Sequence, residues 1–334
     1  MGDYKDYSSY FVDGQCLFGG FPTQDQVCEL AGMGVTNFVD LTFPNEVPTK
    51  YKLPHGCFYL NYPIPDRSIP TSVSEFASIV MRVHNTIVAG KKMYIHCRGG
   101  HGRSGILVAI LIYMLTPGIN TIKAIELATA YHSNRKIMRE KWRIIGAPQT
   151  FFQKKYVHKF FSDIVFFRAY RSGSTTGFSN YSFHDVEVTE RDGFLPAGVF
   201  PTSEALFQAS KQPDNESFVL RQIQAKNPKI SKCISLKIVP DENWEREQSI
   251  IMEKIIHLKF EQHPQILQNL TRCGLRNIIY NSRRDDYFGV GPLNNGRNLL
   301  GKILMKIRNK YYLEFAPAWI SASVYLNINR PCIK

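Results

Sequence analysis

The sequence predicts an α/β domain, with a central mixed or parallel sheet and flanking helices, followed by a mainly α-helical domain. Three observations carry this. The chain has 334 residues, long for one hydrophobic core, since cores stop growing at roughly 250–300 residues. Strand-like and helix-like segments alternate through the first half, a pattern that builds a sheet with helices packed on it. Near residues 163–168 the composition shifts, and residues 168–180 are rich in Ser, Gly and Thr. The expected domains are residues 1–163 and 164–313, with a C-terminal extension, residues 314–334, of unassigned role.

The elements of the first domain follow in order. Cys16-Leu17-Phe18 is an apolar run closed by Gly19-Gly20. Thr23 suits the N-cap of a helix through Leu30, and residues 35–41 and 57–62 read as β-rich strands. Ser72 or Ser74 begins an amphipathic helix towards Val88 that ends at Gly90. Residues 92–96 form a short strand, followed at once by a Gly-rich turn and an apolar helix over residues 102–115. Pro117-Gly118 stops that helix; residues 121–132 form the next, and residues 148–161 close the unit. The second half reads as mostly helical from Ser203 onwards.

Composition narrows the function classes. The hydrophobic share is 44% and the charged share 21%, ordinary for a soluble globular chain. No run reaches the roughly 18 apolar residues of a membrane span, so no membrane partner is expected. The N-terminus lacks the apolar stretch of a secretory signal, and Asp6 breaks the myristoylation pattern. Seven cysteines, scattered and odd in number, argue against a disulfide framework and for a cytoplasmic setting. The net charge of +13 favours polyanionic partners, nucleic acid among them. The densest basic stretch, residues 135–143, reads as a solvated helix face or as a nucleic-acid or nucleotide footprint.

One string carries chemistry: His96-Cys97-Arg98-Gly99-Gly100-His101-Gly102-Arg103-Ser104. Between a strand and a helix, its backbone N–H groups and the helix N-terminus can hold a phosphate dianion. Gly99, Gly100 and Gly102 would permit positive φ, and Arg103 offers a planar fork to two phosphate oxygens. The same field would stabilise the Cys97 thiolate, which would attack phosphorus in line and form a cysteinyl-phosphate. Asp66, on the proline-stiffened stretch Pro63-Ile64-Pro65-Asp66-Arg67, is the candidate acid for the leaving oxygen, or else a surface-turn carboxylate. Ser104 would hydrogen-bond the Cys97 sulfur; His96 and His101 would shape the loop. No second cysteine pair has zinc-ligand spacing, and no metal or cofactor is expected. This half resembles the dual-specificity-type, cysteine-dependent protein tyrosine phosphatases over about residues 10–163, through the His-Cys-x5-Arg-Ser loop and the strand in residues 34–41. The resemblance implies a metal-free phosphatase acting on a phosphate monoester and leaves the substrate open.

In the second half, Pro201-Thr202-Ser203-Glu204 begins a helix with Ser203 as N-cap, and Glu204, Gln208 and Lys211 fall on one face. That pair of charges reads as a salt bridge or as an active site. Trp244 is core or a stacking surface. Asp285-Asp286-Tyr287-Phe288-Gly289, followed by Gly296-Arg297-Asn298-Leu299-Leu300-Gly301, suits a ribose or base pocket. Together with Thr176-Gly177-Phe178-Ser179-Asn180 and Lys259-Phe260, these strings resemble the NADAR family over about residues 165–310. The resemblance implies N-glycosidase activity on an ADP-ribosyl or phosphoribosyl-type substrate. It also implies Glu204 as catalytic carboxylate, Lys211 as nucleophile and Asp285 as second acid/base. Trp244 would stack, Tyr287, Phe288 and Gly289 would line the pocket, and Asn298 would contact ribose or phosphate. Phe288 stands where the family usually has Trp, keeping the ring face and losing the indole donor. A bifunctional hydrolase is the leading reading. Its alternative is a phosphatase whose second domain only binds ADP-ribose or NAD as a sensor or tether.

Overall fold

The computed structural model describes residues 3–47, 50–162, 164–169, 173 and 175–328. The expected boundary residue 163 and residues 329–334 of the extension lie outside the described residues. The chain divides into two compact units, Met1–Ser162 with Tyr312–Lys334, and Asp163–Tyr311.

The first unit contains β1 (Ser8–Val12), β2 (Cys16–Gly19), α1 (Gln24–Gly32), β3 (Asn37–Asp40), β4 (Phe58–Asn61), α2 (Val73–Val88) and β5 (Met93–His96). It continues through α3 (Arg103–Leu115), α4 (Thr121–Ser133), α5 (Glu140–Ile145) and α6 (Phe151–Ser162). The second unit contains β6 (Val165–Phe167), β7 (Val186–Val188), β8 (Gly198–Phe200), α7 (Ser203–Ala209), α8 (Glu216–Ile223) and α9 (Pro228–Ser235). Then come α10 (Trp244–Gln262), α11 (Pro264–Thr271), β9 (Ile278–Tyr280) and α12 (Leu299–Phe315), whose last residues, from Tyr312, group with the first unit. The segment after α12 returns to the first unit as β10 (Ile320–Ser321) and α13 (Ala322–Ile328).

The first unit's sheet has the order β1-β2-β5-β3-β4-β10. Strands β2, β5, β3 and β4 pair in parallel, while β1 and β10 pair antiparallel at the two edges. The central strands β3 and β5 are buried at every position, as parallel strands covered on both faces must be. Local chemistry sets the helix ends. Thr23 and Gln26 form a reciprocal capping box on α1, and the Ser72 hydroxyl accepts the Glu75 N–H at the start of α2. Helix α3 is buried from Arg103 to Ile112, which explains its all-round apolar sequence.

The second unit pairs β6 with β9 in parallel and β7 with β8 antiparallel, around a core that includes Phe167, Phe178, Phe200, Leu206, Ile255 and Phe260. Two expectations change here. The N-cap of α7 is Thr202, whose hydroxyl accepts the Ala205 N–H, and Ser203 is the first helical residue. The helix ends at Ala209, so Lys211 sits in the turn beyond it. The basic stretch of the first unit is also not one solvated face. Arg135 is buried, donates to the Phe18 carbonyl at 3.1 Å and stacks over the Phe18 ring. Arg143 donates to the carbonyls of Ser133, Arg135 and Lys136.

Candidate functional site

Strand β5 ends at His96 and α3 begins at Arg103, so Cys97 and the loop after it sit at the C-terminal edge of the sheet, where open α/β folds place ligands. Gly102, at the α3 N-cap, supplies no capping side chain, which leaves the first helical N–H groups to a ligand. The Gly100 N–H donates to Cys97 Sγ at 3.3 Å, and Ser104 Oγ lies 3.5 Å from the same sulfur. Of the three loop glycines only Gly100 has a positive φ, +74°. A Cβ there would stand 2.3 Å from the Gly19 backbone. Gly102 is required for a different reason: a Cβ would meet the Gln153 amide at 2.8 Å.

Arg103 is 2% exposed and both of its terminal guanidinium nitrogens are engaged. It donates to Glu46 Oε1 at 2.5 Å and Oε2 at 2.6 Å, to the Ile64 carbonyl at 3.0 Å and to Asp66 Oδ1 at 3.0 Å. The hydrogen bonds from Arg103 hold the Glu46 carboxyl below its ordinary pKa. Asp66 itself is largely exposed. A pocket of about 270 Å³ gathers Asp66, Cys97, Arg98, Gly99, His101, Gly102 and Arg103, with Arg67, Trp142 and Gln149.

His101 is a packed part of the wall. Its ring stacks on Trp142 with centroids 4.6 Å apart, and Nδ1 lies 2.7 Å from His132 Nε2. Burial pushes its pKa down to about 4, so the ring is neutral at pH 7. His96 is buried beneath the loop, 2.8 Å from the Tyr51 hydroxyl, and burial lowers its pKa as well.

In the second unit α7 buries Glu204 among polar partners. Asn180 Nδ2 donates to one carboxylate oxygen at 2.5 Å and Gln208 Nε2 to the other at 2.7 Å. Ser235 Oγ in turn donates to Gln208 Oε1 at 2.5 Å. Burial raises the Glu204 pKa to about 7 against the opposing pull of Gln208, Lys232 and Lys211, and nearby Asp285 adds to the rise. The Lys211 ammonium lies over the Trp244 ring, 5.3 Å from its centroid, and burial lowers its pKa. Glu204 and Lys211 therefore share one neighbourhood without forming an ion pair.

Lys259 is fully buried, with Nζ donating to the carbonyls of Gly177 at 2.6 Å and Ser179 at 3.0 Å. It thereby anchors the segment that carries Asn180. Burial pulls its pKa down to about 7. Asn180 Oδ1 and Ser203 Oγ are buried with no partner among the described residues, which leaves two polar atoms beside Glu204 for a hydroxylated ligand.

The remaining expected site residues are placed as follows. Trp244 is 6% exposed, tilted against Phe207 at 5.1 Å, with its indole N–H donating to Ser210 Oγ at 2.9 Å. It is a core ring that supports Lys211, not an open stacking face. Asn298 has φ +51°, accepts the Tyr280 N–H and donates to the Ile278 carbonyl. Its amide pins the loop to β9, which is why an Asn stands there. Asp285 Oδ1 accepts the N–H groups of Tyr287 and Phe288. Phe288 packs edge-on against Phe207 and Tyr287, and a Cβ on Gly289 would collide with the Asp285 carbonyl at 2.7 Å. Sequence reasoning assigned no role to Glu46, Trp142, Gln149 and Lys232, and gave neither Asn180 nor Gln208 its bond to Glu204. Asn180 did stand in the quoted Thr176–Asn180 string and Gln208 on the face of Glu204; the other four carried no local signal.

Known proteins match both halves. A family model of the Swiss Army Knife protein DSP-PTPase phosphatase domain matches residues 7–141, and the NADAR domain model matches residues 166–311. "Putative tyrosine phosphatase 197R" of Invertebrate iridescent virus 6 is 30% identical over 305 residues, 90% of each chain. "N-glycosidase YbiA" of Escherichia coli (strain K12) is 27% identical over 144 residues, 41% of this chain and 82% of that one. The crystal structure of Tk-PTP in the active form aligns with 46% of this chain and 97% of its own, at 25% identity and a TM-score of 0.37. The chain belongs to the family that includes the iridescent-virus protein 197R, and joins a DSP-PTPase phosphatase domain to a NADAR domain.

Proposed function

We propose that this protein is a bifunctional hydrolase: a metal-free, cysteine-dependent phosphatase joined to an N-glycosidase that acts on an ADP-ribosyl or phosphoribosyl-type substrate. The observation that carries the first activity is Cys97 Sγ held between the Gly100 N–H and the Ser104 hydroxyl at the start of α3. Cys97 attacks phosphorus and forms an S–P bond as the P–O bond of the ester breaks. Asp66 gives its proton to the departing oxygen. Water then cleaves the S–P bond, its proton returning to Asp66 and the thiolate leaving with help from Ser104. Arg103 turns its fork from Glu46 and Asp66 to the phosphate oxygens.

The second activity rests on Glu204, whose pKa near 7 suits proton transfer at neutral pH. Glu204 protonates the leaving base as its C1′–N bond breaks and the Lys211 amine, losing a proton to Asp285, bonds to C1′; the C1′–O4′ bond then opens as that proton passes to O4′, and water hydrolyses the resulting Schiff base to free the sugar and the amine. Two features support this assignment: the lowered pKa of Lys211 and the relative named as an N-glycosidase. Asp285 serves as the second acid/base group, and Tyr287 and Phe288 border the sugar.

The test is a guanine-ADP-ribosylated, 5′-phosphorylated oligonucleotide, with product masses followed over time. Free ADP-ribose from wild type and Cys97→Ser, and none from Lys211→Ala, is the expected result. An oligonucleotide that keeps its ADP-ribose with wild type would rule this substrate out. Cys97→Ser is expected to remove all hydrolysis of p-nitrophenyl phosphate; residual turnover would sink the nucleophile assignment.

A further inference from the structure

The geometry points to a membrane-docking rim beside the phosphatase mouth: exposed apolar side chains interspersed with basic ones that seat on an anionic lipid surface. Four large apolar side chains stand out from α5, the segment before it and the first turn of α6. Ile137 is 73% exposed, Ile144 77%, Phe151 71% and Phe152 70%. Soluble surfaces seldom group such residues without a partner.

Their position relative to the site is fixed by hydrogen bonds and close approach. Trp142, within α5, and Gln149, two residues before Phe151, both line the Cys97 pocket. The Gln153 amide, one residue after Phe152, donates to the Ser68 carbonyl at 2.9 Å and packs against Gly102. The first turn of α6 is thus clamped between the Cys97 loop and the segment bearing Asp66.

Around α5 and the first turn of α6 the exposed charges are mostly of one sign. Arg67, Arg98, Arg139, Lys141 and Lys155 are exposed there, against Asp66 and Glu140. The acidic Asp6, Asp25 and Glu29, from other elements, share a trough of about 1320 Å³ with Ile137, Arg139 and Trp142, so the basic side of the mouth is the one that carries Arg67, Arg98, Lys141 and Lys155. Exposed aromatics interleaved with lysines are what an interfacial segment presents to anionic headgroups: rings enter the acyl boundary while ammonium groups stay with the phosphates. Lys141 and Lys155 already lie against the Trp142 and Phe151 rings, at 5.0 and 5.9 Å. A nucleic acid would satisfy the charges but offers nothing to Ile137 and Ile144, so lipid is the occupant the cluster fits.

The proposal rests on the phosphatase reading only for what the docked mouth would meet. Full-length protein is sedimented with phosphatidylcholine vesicles, with and without phosphatidylglycerol. The expected result is binding to the anionic vesicles alone, weakened by salt. Phe151→Ser with Phe152→Ser should lower the partition by about tenfold or more, as loss of two buried rings from an interface requires. Lys141→Glu with Lys155→Glu should lower it more than the same charge change at Lys226 and Lys237 in the other unit. Melting curves of all variants establish that they fold. Binding that is absent, equal on neutral vesicles, or untouched by the paired Phe substitutions overturns the proposal. So does retention of a single-stranded RNA with no vesicle binding. Hydrolysis of p-nitrophenyl phosphate by the wild type runs in parallel; its absence would count against the phosphatase and leave the docking result standing.

Discussion

At the scale of single residues, the two candidate sites use burial in opposite ways. Arg103 is buried and kept charged by Glu46 and Asp66, whereas Glu204 is buried with neutral amides and kept protonatable. The Glu204 carboxyl has a pKa near 7 in the fold and roughly 4.3 in an unfolded chain. The folded state therefore binds the extra proton, and the stability it supplies is complete below about pH 4.3 and lost as pH rises through about 7. Between about pH 5 and pH 7 the urea midpoint of the wild type should fall relative to that of Glu204→Gln, since the lowered pKa values of His101 and Lys259 pull both proteins equally the other way. Parallel slopes would show that Glu204 does not titrate there. The Cys97 loop was legible because its members are contiguous and each residue type has a local reason. Glu46 was not legible, because it meets Arg103 from 57 residues away and nothing local distinguishes it from a surface carboxylate.

At the scale of elements, sequence patterns spoke clearly where an element is long or capped by side chains. Helix α2 with its Ser72 cap and α3 with its continuous apolar run could be placed from the sequence, to within a residue or two. The strands β6 to β9 could not, since three residues carry no usable period. Helix α7 shows how a neighbouring hydroxyl misleads: Thr202 and Ser203 are both good caps, and only the extended backbone of Thr202 (ψ 156°) decides between them. Thr202→Ala should cost the second unit about 1 kcal/mol, read as a shift in urea midpoint at unchanged slope, with Ser203→Ala costing less. The reverse order would return the cap to Ser203. Because α7 presents Glu204 in its first turn, fraying from a lost cap should also slow glycosidic cleavage.

At the scale of the whole molecule, the chain's order and its spatial grouping differ. The C-terminal segment, which carried no motif, supplies a sixth strand through Ile320↔Tyr59 and Ser321↔Phe58. It also brings Tyr325 into the first unit's core against Tyr59 and Tyr51, at 4.4 and 6.1 Å. Such a return is invisible to sequence reading, because a two-residue strand has no pattern and its partner lies far back along the chain. Tyr51 holds His96, the residue before Cys97, so this packing reaches the phosphatase loop from below. Tyr325→Ala should destabilise the first unit by about 3 kcal/mol, on the scale of emptying an aromatic core site. Phosphatase activity should then be lost at a lower temperature than in the wild type; unchanged heat resistance would mean that the segment adds nothing.

This return has a consequence for how the protein is made. The edge of β4 has no neighbour until residues 320–321 emerge from the ribosome, and everything in Asp163–Tyr311 is synthesised first. At roughly 5–20 residues per second, the nascent phosphatase half waits on the order of ten seconds with an open sheet edge. During that interval it is one strand short, and a truncated message would release it in that state.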